Sequence, residues 1–473
     1  MAIDSYIQMK LYTLTKRQFL FLFLSFFVFF IVSIFVGWLG PSVINVISVD
    51  KGIETTDNKI SMLSPDVTPS EQQLWLQIET IFNGDRVKGP TFEKISYLTV
   101  PMKVKVFSYE NGTKGFLNDG AEAHNRTLKC FETKCSPVTV LHIGNIKFPQ
   151  YYVEIEMSQA LVNGSSFKPV WTTYNSHFTE FELWFRFIFL LLAFGSSVAL
   201  CQSLRKYSVE EWSIEQKWIM VLLTALLLYN NPLFPLILLV HSPLVNVIDD
   251  CFTVTFFCTL LMFWLCVYHG IRKTERHFFS FYLVKMVLVG LMWVIGCVIL
   301  SWSALYESID PTYSLAQDQV GFLSIKILFF VLLGIYTLYL LYLLVRAYSE
   351  LHSMPYFDIR LRFLTALTII ILLISLLAVI LRFGNAFLED VLVMQITLRW
   401  NNSAEFLSFY SLFNSYLFTL AFVYSPSNTA VSFKDQTSAS FAMLSDSEDE
   451  LLYRGKKFVN GSSTNYDEGE ESM

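Results

Sequence analysis

Side chains able to do covalent chemistry are few in this 473-residue chain, and they are scattered. Seven His stand at positions 124, 142, 177, 241, 269, 277 and 352, and neither H-E-x-x-H, a Walker lysine loop nor G-x-S-x-G occurs. No set is spaced for catalysis, and no motif asks for a cofactor or a metal. Of seven Cys, Cys130 and Cys135 stand apart in the string C-F-E-T-K-C, whereas the other five lie in or beside apolar runs, where Cys acts as a small apolar residue. The pair reads as a disulfide closing a tight loop; a metal site is the alternative, and it lacks His at suitable spacing.

Charges beside long apolar runs offer chemistry of another kind, because an ionisable group at bilayer depth is costly and is a functional candidate by default. Arg186, Asp249, Asp250, Lys326 and Glu405 fall at one set of run ends. They could pair into an ionic mouth guarding a cavity, or each could snorkel separately into headgroups. Lys285, at the opposite end of its run, is expected to snorkel. The string Y-N-N-P-L-F-P places Tyr229, Asn230, Asn231, Pro232 and Pro235 in mid-run. A proline removes a backbone donor and frees a carbonyl one turn earlier, so a helix there must kink. Asn230 and Asn231 would then line a cavity or repair the broken backbone.

The elements that must carry these residues follow from composition. The chain is 53% hydrophobic and only 16% charged, with 44 Phe and 23 Tyr, which excludes a soluble globular protein. A helical span needs ~20 apolar residues. Such runs occur at 19–39, 183–201, 218–240, 251–268, 286–302, 327–345, 363–381 and 406–424, which predicts eight spans. The first is too long and too rich in Phe for a cleaved signal and reads as a signal-anchor helix. Lys and Arg alternate between loops: Arg205, Lys206, Arg272, Lys273, Arg276, Arg346, Arg360 and Arg362 fall on one side, while loops 241–250 and 303–322 have none. The positive-inside rule then puts both termini in the cytosol and residues 40–182 in the lumen or outside the cell. The sequons at Asn111, Asn125, Asn163 and Asn401 all fall on that translocated side and are candidate glycosylation sites. A net charge of −6 lacks the basic excess that nucleic-acid binding needs.

Within 40–182, alternation in Lys103 to Phe107 and Tyr151 to Met157, with turn signals at Asn111-Gly112, Asn118-Asp119-Gly120 and Asn163-Gly164, predicts a small antiparallel β-sandwich. Residues 42–70 read as an irregular lead-in. The division expected is a cytosolic N-terminus (1–18), a first helix (19–39), a β-sandwich domain (40–182), a seven-helix bundle (183–424) and a disordered acidic tail (425–473). In that tail Ser445 and Ser447 are candidate phosphorylation sites, and Leu451-Leu452 is either a dileucine signal for sorting adaptors or part of a plain solvated tail.

The strings LYTLTKRQF (11–19), QQLWL (72–76), IEQKW (214–218), YNNPLFPL (229–236), FWLCVYHGIR (263–272), MPYFDIRLRFLTALT (354–368) and NSAEFLSFYSLFNSYLFTLAFVYSPS (402–427) closely resemble the transmembrane protein 181 family. That family is similar in architecture to Wntless and other seven-helix proteins bearing a luminal GOLD-type β-sandwich. The resemblance implies a first helix leading into the β domain, a receptor-like bundle, and a Golgi, endosomal and surface itinerary. It also implies an association with uptake of a bacterial toxin, cytolethal distending toxin. The function expected is a non-enzymatic trafficking or cargo receptor whose partners are membrane lipids, an acyl chain or lipid in the bundle, and a secreted or membrane ligand. The alternatives are a signalling receptor, disfavoured because D-R-Y and N-P-x-x-Y are missing, and a channel or transporter.

Overall fold

The computed structural model describes residues 9–48, 54–56, 58–82, 92–110, 113–118, 123–132, 134–158, 165–240, 242–270, 278–312, 319–351, 355–383 and 400–427. Nine helices of five or more residues are described: α1 (Lys16–Trp38), α2 (Ser176–Leu204), α3 (Ile214–Tyr229), α4 (Pro235–Leu239), α5 (Pro243–Gly270), α6 (Leu283–Ile309), α7 (Gln319–Leu351), α8 (Pro355–Phe383) and α9 (Ser403–Val423). Six of them, α1, α2, α5, α6, α7 and α9, are long and apolar enough to cross a membrane. The other two expected crossings are α3 with α4, interrupted by the prolines, and α8, whose apolar stretch is Leu361–Leu377. The chain is a polytopic helical membrane protein. Most helices run several residues past their apolar runs, because hydrogen bonding along the backbone continues where the side chains turn polar.

The last helix is central. Phe406, Leu407, Tyr410, Phe413, Tyr416, Leu417 and Leu420 are all buried, and Ser411, Asn414 and Ser415 leave room for close neighbours. Helix α1 packs along α9 rather than standing apart as an anchor. At Gly37 an added Cβ would lie 2.6 Å from the Ala404 Cα, so only glycine permits this approach. The opposite end of the pair is tied by the chain before α1: Lys10 N–H donates to Ser425 O at 3.0 Å, and Met9 bridges Pro426.

Between α1 and α2 eleven strands are described: β1 (Ile44–Ser48), β2 (Glu54–Thr56), β3 (Lys59–Leu63), β4 (Leu74–Phe82), β5 (Phe92–Glu110), β6 (Thr113–Asn118), β7 (His124–Glu132), β8 (Lys134–Cys135), β9 (Val138–Ile143), β10 (Gln150–Glu156) and β11 (Ser165–Tyr174). All described pairings are antiparallel, in the order β1-β11-β4-β8-β7-β5-β10-β3-β2, with β9 also on β4 and β6 also on β5. Strand β5 joins two layers: its first half pairs with β7, its second with β10 and β6. Leu76, Ile78, Leu128, Val104, Val153, Ile60 and Trp171 fill the space between the layers. The expected strands at 103–107 and 151–157 are present, and Cys130 and Cys135 face each other across β7 and β8, joined by a disulfide. The lead-in expected at 42–70 is a correction. It holds β1, β2 and β3: β1 pairs with the distant β11 and β3 with the distant β10, while β2 pairs with β3.

The outer face of the first layer sits on the bundle. Trp75 and Tyr174 point away from the sandwich core, with ring centroids 5.5 Å apart, and Tyr174 stacks on Phe178 of α2 at 6.3 Å. Two polar ties flank this floor. Near α2, Gln72 Nε2 donates to Thr179 Oγ1 at 3.0 Å, and that hydroxyl donates to Ser70 O at 2.7 Å. On the far side, His142 N–H donates to Pro311 O at 2.8 Å in the turn after α6.

Candidate functional site

Helix α3 starts with a capping box, in which Ser213 Oγ accepts from Gln216 N–H and Gln216 Oε1 accepts from Ser213 N–H. It stops at Tyr229, since Pro232 can neither donate to the preceding turn nor fit its ring there. Asn231 then takes a φ of 51°, a left-handed conformation that Asn tolerates better than most residues. Its Oδ1 accepts from Leu233 N–H at 2.8 Å, its carbonyl accepts from Phe234 N–H at 3.2 Å, and α4 resumes with Pro235, whose fixed φ suits a first helical position. The broken turn thus satisfies its own backbone. Pro232 and Pro235 face outward, while Tyr229, Asn230, Asn231 and Phe234 face into the bundle.

The inward residues meet α2, α5 and α9. Asn230 and Asn414 of α9, both fully buried, exchange two amide hydrogen bonds of 3.1 Å. The Tyr229 ring stacks between Phe256 of α5, at 4.6 Å, and Tyr410 of α9, at 4.8 Å. Asn231 Nδ2 donates to Asp249 Oδ1 of α5 at 2.7 Å. The same carboxylate oxygen accepts from Arg186 Nη1 of α2 at 3.2 Å. Arg186 also donates from Nε and Nη2 to Glu182 Oε1, at 3.0 and 2.8 Å, and its guanidinium lies 4.1 Å from the Phe234 ring centroid and 5.2 Å from that of Tyr410. Glu182, Arg186, Asn231 and Asp249 are each no more than 3% exposed. The cluster lies in the half of the bundle nearest the β domain, ten residues into α2 and six into α5.

Arg186 and Asp249, expected at a mouth, are therefore paired, and pairing is tighter than separate snorkelling. Asn231 belongs to the same set. Asp250 is half-buried and about 100° further round α5. Glu405 caps α9: its Oε2 accepts from Asn401 N–H at 2.8 Å, and its own N–H donates to Asn402 Oδ1 at 2.7 Å. The Lys326 side chain lies outside the described residues, as do Asn111, Asn163, Ser445 and Ser447. Asn125 and Thr127 are exposed together on β7; Asn401 is half-buried, and the Ser403 hydroxyl of its sequon is buried and donates to Pro41 O. The snorkelling expected of Lys285 is corrected: it is fully buried, with Nζ 3.4 Å from the Phe281 ring centroid.

Sequence reasoning missed Glu182, placed just outside the predicted span at 183, and Asn414, the partner of Asn230. Glu182 carried a signal, its i,i+4 spacing to Arg186; Asn414 carried none, because its partner is 184 residues away. Chemically the set holds a guanidinium between two carboxylates out of water, where charge interactions are strong and removing one member is expensive.

Comparison with known proteins agrees with both halves of this architecture. Residues 175–428 match the family model described as Wntless-like, transmembrane domain, and residues 58–174 that described as TMEM181, GOLD domain. Over 454 residues, 94% of this chain and 93% of the relative, the sequence is 44% identical to Transmembrane protein 181 of Homo sapiens. An antiparallel β domain set on a bundle with a broken span, matched along nearly the whole chain, makes this protein a member of the transmembrane protein 181 family.

Proposed function

We propose that the chain is a non-enzymatic trafficking or cargo receptor that takes a secreted or membrane ligand through its β domain and a lipid or acyl chain through its bundle. The observation that carries this reading is the buried Glu182–Arg186–Asp249–Asn231 set directly beneath the β-domain floor, at a span that is broken rather than straight. A polar junction between four helices is a natural place for a bundle to open, since its two states can differ by a few rearranged hydrogen bonds. The Wntless-like character of residues 175–428 supports a receptor over an enzyme. In this reading the β domain is luminal or extracellular, both termini are cytosolic, and the protein moves among Golgi, endosome and plasma membrane. Its tail then offers Ser445 and Ser447 to kinases and a dileucine to sorting adaptors, and a bacterial toxin uses the exposed domain as a foothold.

The test is native mass spectrometry of the full-length protein in nanodiscs cut from cell membranes, combined with surface crosslinking on living cells. The result expected is a retained lipid or acylated ligand that Asn230→Leu with Asn414→Leu displaces, while the Cys130–Cys135 bond stays intact. Ion flux through reconstituted protein, with no retained lipid, would move the reading to a channel. The buried ionic set also fits a signalling receptor, and ligand-dependent second-messenger output without cargo movement would favour that alternative.

A further inference from the structure

The first layer of the β domain has a near half, which sits on the bundle, and a far half, which is open. Strand β7 starts at the bundle, where His124 Nε2 lies 3.3 Å from Asp310 Oδ2 in the turn after α6. At ~3.3 Å per residue, Phe131 stands about 23 Å farther out along the same strand. Strands β4 and β11 share this axis, from Trp75 and Tyr174 on the floor to Ile81 and Lys168 at the far end.

At that end four strands lie side by side in the order β4-β8-β7-β5. Their register sets Ile81 against Lys134, Lys134 against Phe131, and Lys129 against Tyr97. Residues opposite each other in a ladder point to the same side of the sheet, so apolar and cationic side chains alternate across one face. Phe131 and Tyr97 are diagonal neighbours, roughly 7–8 Å apart, and they are 54% and 63% exposed. One exposed ring is ordinary on a protein surface, but two together between cations form a patch. The Cys130–Cys135 bond ties β7 to β8 next to Phe131 and Lys134, so the patch is held rigid before anything binds.

We propose that this far face of the β domain is a docking surface for an acidic, extended segment of a protein ligand, in which carboxylates meet Lys129 and Lys134 and an apolar side chain between them lies on Phe131 and Tyr97.

Charge and size select this occupant. Of the charged side chains described on this half of the face, Lys129, Lys134 and Lys168 are cations and Glu79 is the anion, and Glu79 lies directly across from Lys168. Lys129 and Lys134 therefore set the charge of the patch. Three inter-strand steps of ~4.8 Å make it about 14 Å wide, the length of roughly four extended residues. That is too small for a whole domain, which covers about 800 Å² on each partner, and it suits a short segment. A sulfated polysaccharide would need a longer basic track and would have no use for the aromatic rings between the cations. The surface lies well away from the buried ionic set of the bundle. It rests on the reading of the β domain as the part that takes a ligand, and it names the chemistry of that ligand.

The test uses full-length protein in nanodiscs, carrying N125Q so that no glycan stands on the same strand, and a random-peptide display library as the probe. Selected peptides should be enriched in Asp and Glu flanking an aromatic or aliphatic residue. Their affinity, read by fluorescence polarisation, should fall roughly tenfold in F131S, as expected for an aromatic anchor, and about threefold in each of K129Q and K134Q. High salt should remove the lysine effects and leave that of F131S. F116S, on the second layer, should change nothing. An intact disulfide and unchanged hydrogen exchange across β4 and β10 report folding, and if F131S fails them the double variant K129E with K134E decides, because it should lose the acidic peptides and bind the same peptides with Lys in place of Glu. A library that yields no acidic peptides, peptides that bind F131S as well as the wild type, or displacement by heparin regardless of F131S overturns the proposal. Failure here, with cargo still crosslinked on cells, would leave the receptor reading standing with its ligand on another face; peptide binding without cargo movement would uphold the surface and sink that reading.

Discussion

Arg186 is where the bundle's stability and its capacity to change are most concentrated, because its guanidinium holds Glu182 of its own helix with two hydrogen bonds and with a third ties α2 to Asp249 of α5 and, through it, to the broken turn. Removing one partner of a buried ion pair leaves the other charge in low dielectric, at a cost of about 3–5 kcal/mol. Arg186→Gln should therefore lower the thermal midpoint in detergent sharply and reduce surface expression. Arg186→Met combined with Asp249→Leu and Glu182→Leu should recover most of the lost stability, since no charge is then stranded. Recovery of folding without recovery of ligand uptake would separate the cluster's structural part from its functional part. The amide pair is a smaller quantity. Interhelical hydrogen bonds in membranes contribute roughly 0.5–2 kcal/mol, so Asn230→Ala and Asn414→Ala should each destabilise by about that much. Because the two amides bond only each other across the α3–α9 contact, the double variant should cost little more than either single change.

At the scale of elements, the α1–α9 contact makes the first helix part of the bundle, and it depends on one glycine. Gly37→Leu would drive a side chain into the Ala404 backbone, so the two helices must separate near the β-domain end, where Ser403 also donates to Pro41 O. The expected outcome is retention in the endoplasmic reticulum and faster proteolysis between α1 and β1; a fully processed, stable Gly37→Leu protein would show that the contact is dispensable. Nothing in the hydropathy of 19–39 revealed this packing, because a lipid-facing and a helix-facing stripe of Phe, Leu and Val look alike in sequence. The spans themselves were legible, since the cost of charge in hydrocarbon writes them directly into composition. The break in the third span was legible from Pro232 and Pro235 for the same local reason. Strands β1 to β3 were less so, because β1 and β3 pair with β11 and β10, about 90 to 130 residues away, and β2 extends the sheet from β3. The ionic set was half visible: charges near span ends could be found, but which of them meet is decided by helix packing.

At the scale of the whole molecule, packing of α1 on α9 with Met9 bridged to Pro426 brings the start and the end of the bundle to one face, opposite the β domain. Eight crossings require that outcome, and seven or nine would forbid it. Tags fused at Met1 and at Met473 should behave identically, both reached by antibody only after the plasma membrane is permeabilised. Glycosylation, where it occurs, would give an independent reading of the other face. Asn125 and Thr127 stand exposed side by side on the outer surface of β7, whereas Asn401 sits just before the N-cap of α9 with its Ser403 hydroxyl turned into the protein. Transferases act before folding is complete, but a sequon at a helix end this close to the bilayer leaves little free chain to reach them. Asn125→Gln should therefore remove one glycan-sized step in gel mobility, sensitive to endoglycosidase in the wild type, and Asn401→Gln should change nothing. A glycan on Asn401 would place the start of α9 farther from the membrane than its packing against Pro41 and Gly37 allows. A tag accessible at only one terminus of intact cells would mean that the α3–α4 break turns the chain back instead of carrying it across.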